Sequence, residues 1–282
     1  MKIEILGSGG ALAMPMLYSQ HQFAQQAREQ GVPYSRWGPS IFIHDIGLLI
    51  DTPEEIRLQL ERAKIFRVPN CIYSHWHPDH VRGLRVFESL NWGTWHYPSQ
   101  NCNTMIYLPQ QVAEDMTTRA GMGEALEWME SVRVIQQHVI SDGEAIILKD
   151  IKVTPFRLAE EYVYAFLLEG NGKRVLIAPD ELFGWEPPDF VKGVDLAILP
   201  MGIPEYNPLT GERFLAETHP VLKTEATYRQ TLEMVKKIDA KLTYLTHIED
   251  YEIFGYDELS VLETDLTDPL VKFAYDTLLI EI

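Results

Sequence analysis

Residues 73–80 read Tyr-Ser-His-Trp-His-Pro-Asp-His, and they place three of the chain's nine histidines beside an aspartate. Clustered imidazoles and carboxylates are costly in a core strand unless each finds a partner. A solvated loop has no need of them. A metal centre does, because imidazole and carboxylate together suit zinc, manganese or iron. His75 and His77 are two positions apart, so an extended backbone points both rings the same way. Pro78 then bends the chain and lets Asp79 and His80 face a second locus. The spacing suits two metals sharing one loop. Two ions about 3.5–4 Å apart can activate a bridging hydroxide and stabilise a leaving oxygen.

The rest of the composition narrows the partners. The net charge is −17, from 24 basic and 41 acidic residues. No Lys/Arg cluster stands out, so nucleic acid is not expected as a partner. Two cysteines, Cys71 and Cys102, are too few for a disulfide scaffold and read as free thiols, with Cys71 packed in an apolar strand. No apolar run approaches the ~18 residues of a membrane span. The start of the chain, a strand followed by a glycine turn, lacks the apolar core and cleavage site of a signal peptide. The expected setting is the cytoplasm, without membrane contact.

Strands and helices alternate along the whole chain with no Pro/Gly/Ser linker, so residues 1–282 are expected to form a single domain. "KIEIL" reads as a strand and "SIFIHDIGLLID" as a hairpin turning at Asp45–Gly47. The following helix has Thr52 as expected N-cap, with Pro53 at its first position and Glu55 completing a capping box. "NCIYSH" is a short buried strand that delivers the histidine cluster to its C-terminal end. "TMIYLP" is a strand, and Pro109 starts a helix. Strand pairs follow with turns at Lys149–Asp150 and Gly170–Gly172. "VDLAILP" is a buried strand. "TEATYRQTLEMVKKI" is an amphipathic helix, "KLTYLTH" a strand, and "VKFAYDTLLIEI" a final strand or hairpin. Three polar clusters therefore stand at strand ends, where a rigid scaffold fixes loop geometry: residues 75–80, Asp180 in "VLIAPD", and His247 in "YLTH".

H-x-H-x-D-H, followed by a later aspartate and a strand-end histidine, resembles the metallo-β-lactamase superfamily. "LGSGGA", "LLIDTPEEIRLQL" and "LTH" strengthen the resemblance, which covers nearly the whole chain. It implies an α/β fold: an αββα sandwich of two facing mixed sheets with helices outside. The branch it most resembles is the cyclic phosphodiesterase of phosphonate breakdown, with the tRNA 3′-end endonuclease and the pyrroloquinoline-quinone biosynthesis B proteins as cousins. By that similarity His75 and His77 bind one metal, Asp79, His80 and His247 bind the other, and Asp180 bridges them.

The sequence departs from the family in two places. The family usually carries one more histidine before the bridging aspartate, where this chain reads "TPFRLAEEYVYAFLLE". Glu160 is the expected occupant, with Glu161 the alternative. A carboxylate ligand would make the first site richer in oxygen and more tolerant of manganese or iron. The phosphodiesterase branch also often holds a structural zinc on a cysteine cluster, where this chain has Ser19, His21 and Ala24. The segment Tyr18–Arg36 is expected to be a surface loop or an oligomer contact, which would make a homodimer. His219 lies where related branches place a proton donor to the leaving group, and a helix-entry residue is the alternative. Tyr206, Arg213 and Glu217 could line the pocket, and the tryptophans of "WGTWHYP" could wall it.

The resulting expectation is a dinuclear hydrolase carrying zinc or manganese, with iron admitted. It would act on a small anionic phosphodiester or cyclic phosphate, with Asp79 and His219 in catalytic roles. A carboxylic ester or thioester hydrolase is an alternative, because the same metals polarise carbonyls. A non-catalytic or biosynthetic accessory protein with one filled site is another, and the missing histidine favours it.

Overall fold

Short aliphatic and β-branched runs, punctuated by Gly, Pro, Asn and Asp, make fourteen strands in the computed structural model, which describes residues 1–97 and 103–282. The first half runs β1 (Lys2–Gly7), α1 (Gln22–Gln30), β2 (Ser40–Ile43), β3 (Leu48–Ile50), α2 (Ile56–Ala63), β4 (Asn70–Ile72), α3 (Pro78–Val81), α4 (Val86–Asn91), β5 (Thr104–Pro109), α5 (Gln110–Thr118), α6 (Gly123–Ser131) and β6 (Ile135–Ile140). The second half runs β7 (Ile146–Leu148), β8 (Ile151–Arg157), β9 (Tyr164–Gly170), β10 (Lys173–Ile177), β11 (Leu196–Pro200), α7 (Tyr228–Ile238), β12 (Thr243–Thr246), α8 (Tyr256–Glu263), β13 (Val271–Phe273) and β14 (Leu278–Glu281).

The strands form two seven-stranded mixed sheets, ordered β14-β1-β2-β3-β4-β5-β6 and β13-β12-β11-β10-β9-β8-β7. In the first, β14 to β3 pair antiparallel and β3 to β6 parallel. The second repeats that plan, antiparallel from β7 to β10 and parallel from β10 to β13. The sequence shows no matching repeat. Alternation along each strand divides the core. Phe166 and Leu168 join Ile3, Ile43 and Ile72 between the sheets, whereas Ala165 and Leu167 join Val235, Ile238 and Leu259 under α7 and α8. Central strands buried on both faces explain the unbroken apolar runs of β9 and β11. This is the αββα arrangement expected from the sequence.

Three local expectations change. Helix α2 begins at Ile56, and its N-cap residue, Glu55, makes no capping bond through its side chain. Thr52 is no cap because its hydroxyl pairs with the Tyr73 hydroxyl at 2.8 Å. The tail is not a hairpin: β13 joins the second sheet and β14 the first. Buried Asp276 stands between them and accepts bonds from the Ser8 and Trp37 N–H groups and from Arg62. Edge strand β6, with its polar "IQQHVI", was not among the expected strands. Cys71 is buried as expected, and Cys102 lies outside the described residues. No helix among the described residues is long and apolar enough to cross a membrane.

Candidate metal centre

The site is assembled from strand ends. β4 delivers residues 73–77, α3 carries Asp79 and His80, the loop after β10 carries Asp180, and the residue after β12 is His247. Nε2 of His75 is 3.3 Å from Oδ2 of Asp180, and Nε2 of His80 is 3.6 Å from the same oxygen. Nε2 of His247 is 3.5 Å from Oδ1 of Asp180. Asp180 therefore presents one oxygen to His75 and His80 and the other to His247. Asp79 Oδ2 lies 3.3 Å from Nε2 of His80 and 3.5 Å from Nε2 of His247.

These separations suit ligands better than hydrogen bonds. Nitrogen and oxygen ligands at about 2.0–2.1 Å from a tetrahedral ion stand roughly 3.3–3.4 Å apart. Nε2 of His75, His80 and His247 are all buried without a hydrogen-bond partner. Buried polar nitrogens are rarely left so, and a cation between them and the two aspartates would satisfy all three. Two groups meet this geometry among the described residues: His75 with His80 and Asp180, and Asp79 with His80 and His247. The residues present thus fit divalent ions.

The surroundings hold these rings in place. Asp51 Oδ2 takes the Nδ1 proton of His80 at 2.8 Å and that of the Ser74 hydroxyl at 2.6 Å. Ser74 Oγ lies 3.0 Å from Nδ1 of His75. Asp51 and His247 are both non-glycine residues in the left-handed region, with φ of 61° and 51°. Such backbone strain gathers at functional sites. Gly10 of "LGSGGA" packs under His247, and a Cβ there would lie 2.4 Å from the imidazole ring. Arg36, fully buried, donates to the carbonyls of Ile248 at 3.0 Å and Glu249 at 3.3 Å, pinning the backbone after His247.

Charge follows the geometry. Burial disfavours ionised Asp79, yet His80 and His247 hold its carboxyl far below the usual range. Burial likewise opposes Asp180, and His247 and His75 outweigh it. In the metal-free protein His247 is raised to about 9 by Asp180 and Asp79 against its burial. His80 is raised well above its ordinary value against burial by Asp79 and Asp51. Burial lowers His75, and burial with the neighbouring His75 lowers His77 to about 4.

The remaining candidates are placed as follows. His77 belongs to neither close group, but its ring centroid is 4.5 Å from that of His75 and it lines the same pocket. Glu160 also lines that pocket and belongs to neither close group; burial first, and then the Glu160 carboxylate, push the Tyr162 hydroxyl up. The Tyr162 ring lies 5.6 Å from that of His77. Glu161 is exposed. His219 is exposed and outside the pocket lining, and its Nδ1 accepts from the Val221 N–H. Tyr206, Arg213 and Glu217 also lie outside the lining, bonded to one another through Arg213. Trp92 stacks on Trp128 at 6.0 Å and Trp95 is 89% exposed, so neither walls the pocket.

Asp51, Ser74, Arg36, Tyr162, Glu181, Glu225 and Glu249 were not among the expected site residues. Only Asp51, an acid ending the apolar run "LLID", carries a local signal. The absence of a basic run was also misleading in part, because folding gathers Arg57, Arg82 and Arg85 around one cleft beside α2, together with Glu54 and Glu88.

Residues 47–248, which contain every candidate ligand, match a model of the beta-lactamase superfamily domain. The chain belongs to the beta-lactamase superfamily. Among solved structures it is similar to a diphosphatase of the PhnP family, with 21% identity and a TM-score of 0.71 over 100% of this chain and 97% of that one. Zinc-bound PqqB from Methylobacterium extorquens gives 16% identity and a TM-score of 0.67 over 100% of both chains. The short form of human tRNase Z gives 16% and 0.62 over 100% of this chain and 99% of that one. No curated protein matches the sequence. At these identities the solved structures establish a shared fold, and superfamily membership together with the His/Asp groups places the chain in a family of metal-dependent hydrolases.

Proposed function

We propose that the chain is a metal-dependent hydrolase of a small phosphodiester, with Asp180 shared between two ion positions. The observation that carries this is the convergence of three unpartnered buried imidazole nitrogens on Asp79 and Asp180 at a pocket of about 330 Å³. His75, His80, His247, Asp79 and Asp180 would hold the ions, with His77 beside them. Divalent ions bound there would polarise a phosphoryl oxygen and make water nucleophilic near neutral pH. The chain's own part is to keep Nε2 of each ring aimed inward: Asp51 and Ser74 fix His80 and His75, and Arg36 with Gly10 fixes the His247 turn. Similarity in fold to a PhnP-family diphosphatase supports phosphorus over carbonyl substrates. Protein loaded with zinc or manganese should cleave bis-p-nitrophenyl phosphate, and chelation should abolish cleavage. Cleavage of carboxylic or thioester substrates alone would replace the phosphodiester reading.

One observation favours a second reading, an accessory protein with a single filled site. Glu160 and His77 both stand outside the two close ligand groups. One bound equivalent and no hydrolysis of any ester class would support it.

A further inference from the structure

The pocket above the candidate metal centre is lined by two unlike sets of residues. One is the ligand end, with His77, Asp79, Asp180 and His247. The other is apolar: Leu182, Pro200, Ile203, Val221 and Ala226. It comes from the loop after β10, the end of β11 and the segment leading to α7. Tyr162, whose ring lies 5.6 Å from that of His77, adds an aromatic surface beside the ligand end.

The apolar set is held in a fixed shape. Gly202 has φ of 77°, and a Cβ there would lie 2.7 Å from the carbonyl oxygen of Ala226. That close approach lets Ile203 donate its N–H to Ala226 at 2.8 Å and accept that of Tyr228 at 2.9 Å. Glu181 Oε1 accepts the N–H groups of Phe183 and Ala226, the latter at 3.1 Å, which fastens the Leu182 turn to the same segment. The Glu225 N–H bonds the Val221 carbonyl at 2.9 Å. Ile203 and Val221 are half-buried, so each keeps apolar surface open to the pocket. A wall already fixed in this way loses little freedom when a ligand covers it.

The chemistry of the lining says what such a ligand carries. Divalent ions would bring positive charge to the two close ligand groups, where they would take phosphoryl oxygens. Away from that end, no lysine or arginine lines the pocket among the described residues, so a second anionic group has no partner there. A volume of about 330 Å³ stands at the small end of the roughly 300–1,000 Å³ usual for ligand pockets. Resting on the phosphodiesterase reading, we infer that the apolar wall is a subsite for an uncharged apolar substituent of the phosphodiester, about the size of one ring. The phosphoryl group would sit at the ligand end while the substituent covers Ile203 and Val221.

The test is calorimetric titration of the metal-loaded protein with dimethylphosphinate and methylphenylphosphinate. Both carry a single negative charge and neither has an ester bond to cleave, so the ratio of affinities reads the subsite alone. Methylphenylphosphinate should bind roughly tenfold tighter or more, the scale of apolar burial in a preformed pocket. Ile203→Ala and Val221→Ala should each bring the ratio towards one. Equal affinities in the unmodified protein, tighter binding of dimethylphosphinate, no binding of methylphenylphosphinate, or a ratio unchanged in both variants would overturn the inference. Hydrolysis is scored separately. A retained preference without cleavage of any phosphodiester would overturn the phosphodiesterase reading and leave the apolar subsite standing, and cleavage without the preference would overturn the subsite alone.

Discussion

Asp51 accepts a hydrogen bond from Nδ1 of His80 at 2.8 Å, which aims Nε2 of that ring at Asp79 and Asp180. A carboxylate behind a ligating imidazole fixes its tautomer and raises its basicity, and losing such a partner typically weakens metal binding about 10–100-fold. Asp51→Asn should lower metal affinity by about that factor, read by competition with a chromogenic chelator. Unchanged affinity would show that packing alone orients His80.

The ligand histidines make metal binding depend on pH. In the metal-free protein His80 and His247 are raised, His247 to about 9, so both are protonated at neutrality and must lose a proton to ligate. Affinity should rise with pH up to about 9, and titrations in buffers of different ionisation enthalpy should reveal proton release. The sign for folding follows from linkage. The raised His247 stabilises the metal-free fold fully below the ordinary histidine value of about 6.5, and that contribution is lost as pH rises through about 9. His77, lowered to about 4, acts oppositely: its contribution is present above 6.5 and lost as pH falls through about 4. Thermal melts of the chelated protein across pH would show both limbs, and a flat profile would contradict them.

Arg36 is 1% exposed and holds the carbonyls of Ile248 and Glu249. Arg36→Met should leave both carbonyl oxygens without that donor and cost about 2–6 kcal/mol, at about 1–3 per lost partner. Arg36→Lys should recover part of the stability, because a single ammonium cannot copy the planar fork. The variant should also retain less metal at the His247 position. Full stability and full metal content in Arg36→Met would contradict this role.

His219 stands exposed on the segment that leads to Val221, Thr224 and Glu225 of the pocket wall. Its position predicts that His219→Ala keeps the rate within roughly threefold, for good and poor leaving groups alike. A loss of about 10²–10⁴-fold confined to poor leaving groups would identify it as the general acid instead.

The sequence and the fold agree best where chemistry forces residue types together. Three imidazoles and an aspartate in one turn have few uses besides a metal, and Asp180 and His247 stand out because each ends an apolar strand. The partners of those ligands were hidden by distance along the chain. Asp51 lies 29 residues from His80, and Arg36 lies 212 from Ile248. The tail was misread for a related reason. "VKFAYDTLLIEI" has the pattern of a hairpin, and only buried Asp276, tied to Ser8, Trp37 and Arg62, sends its two strands to different sheets. Glu181, Glu225 and Glu249, which line the pocket beside the expected Glu160, show no local signal, because they come from separate loops.

Asp180 turns Oδ2 to His75 and His80 and Oδ1 to His247, so it would serve both of the proposed ion positions. Elemental analysis of the protein and of Asp180→Ala, after saturation with zinc or manganese and gel filtration, measures whether Asp180 is shared in this way. Two equivalents per chain are expected in the unmodified protein, and a reduced content at both positions in the variant. Two equivalents retained in Asp180→Ala, or no bound metal in the unmodified protein, would contradict that shared role.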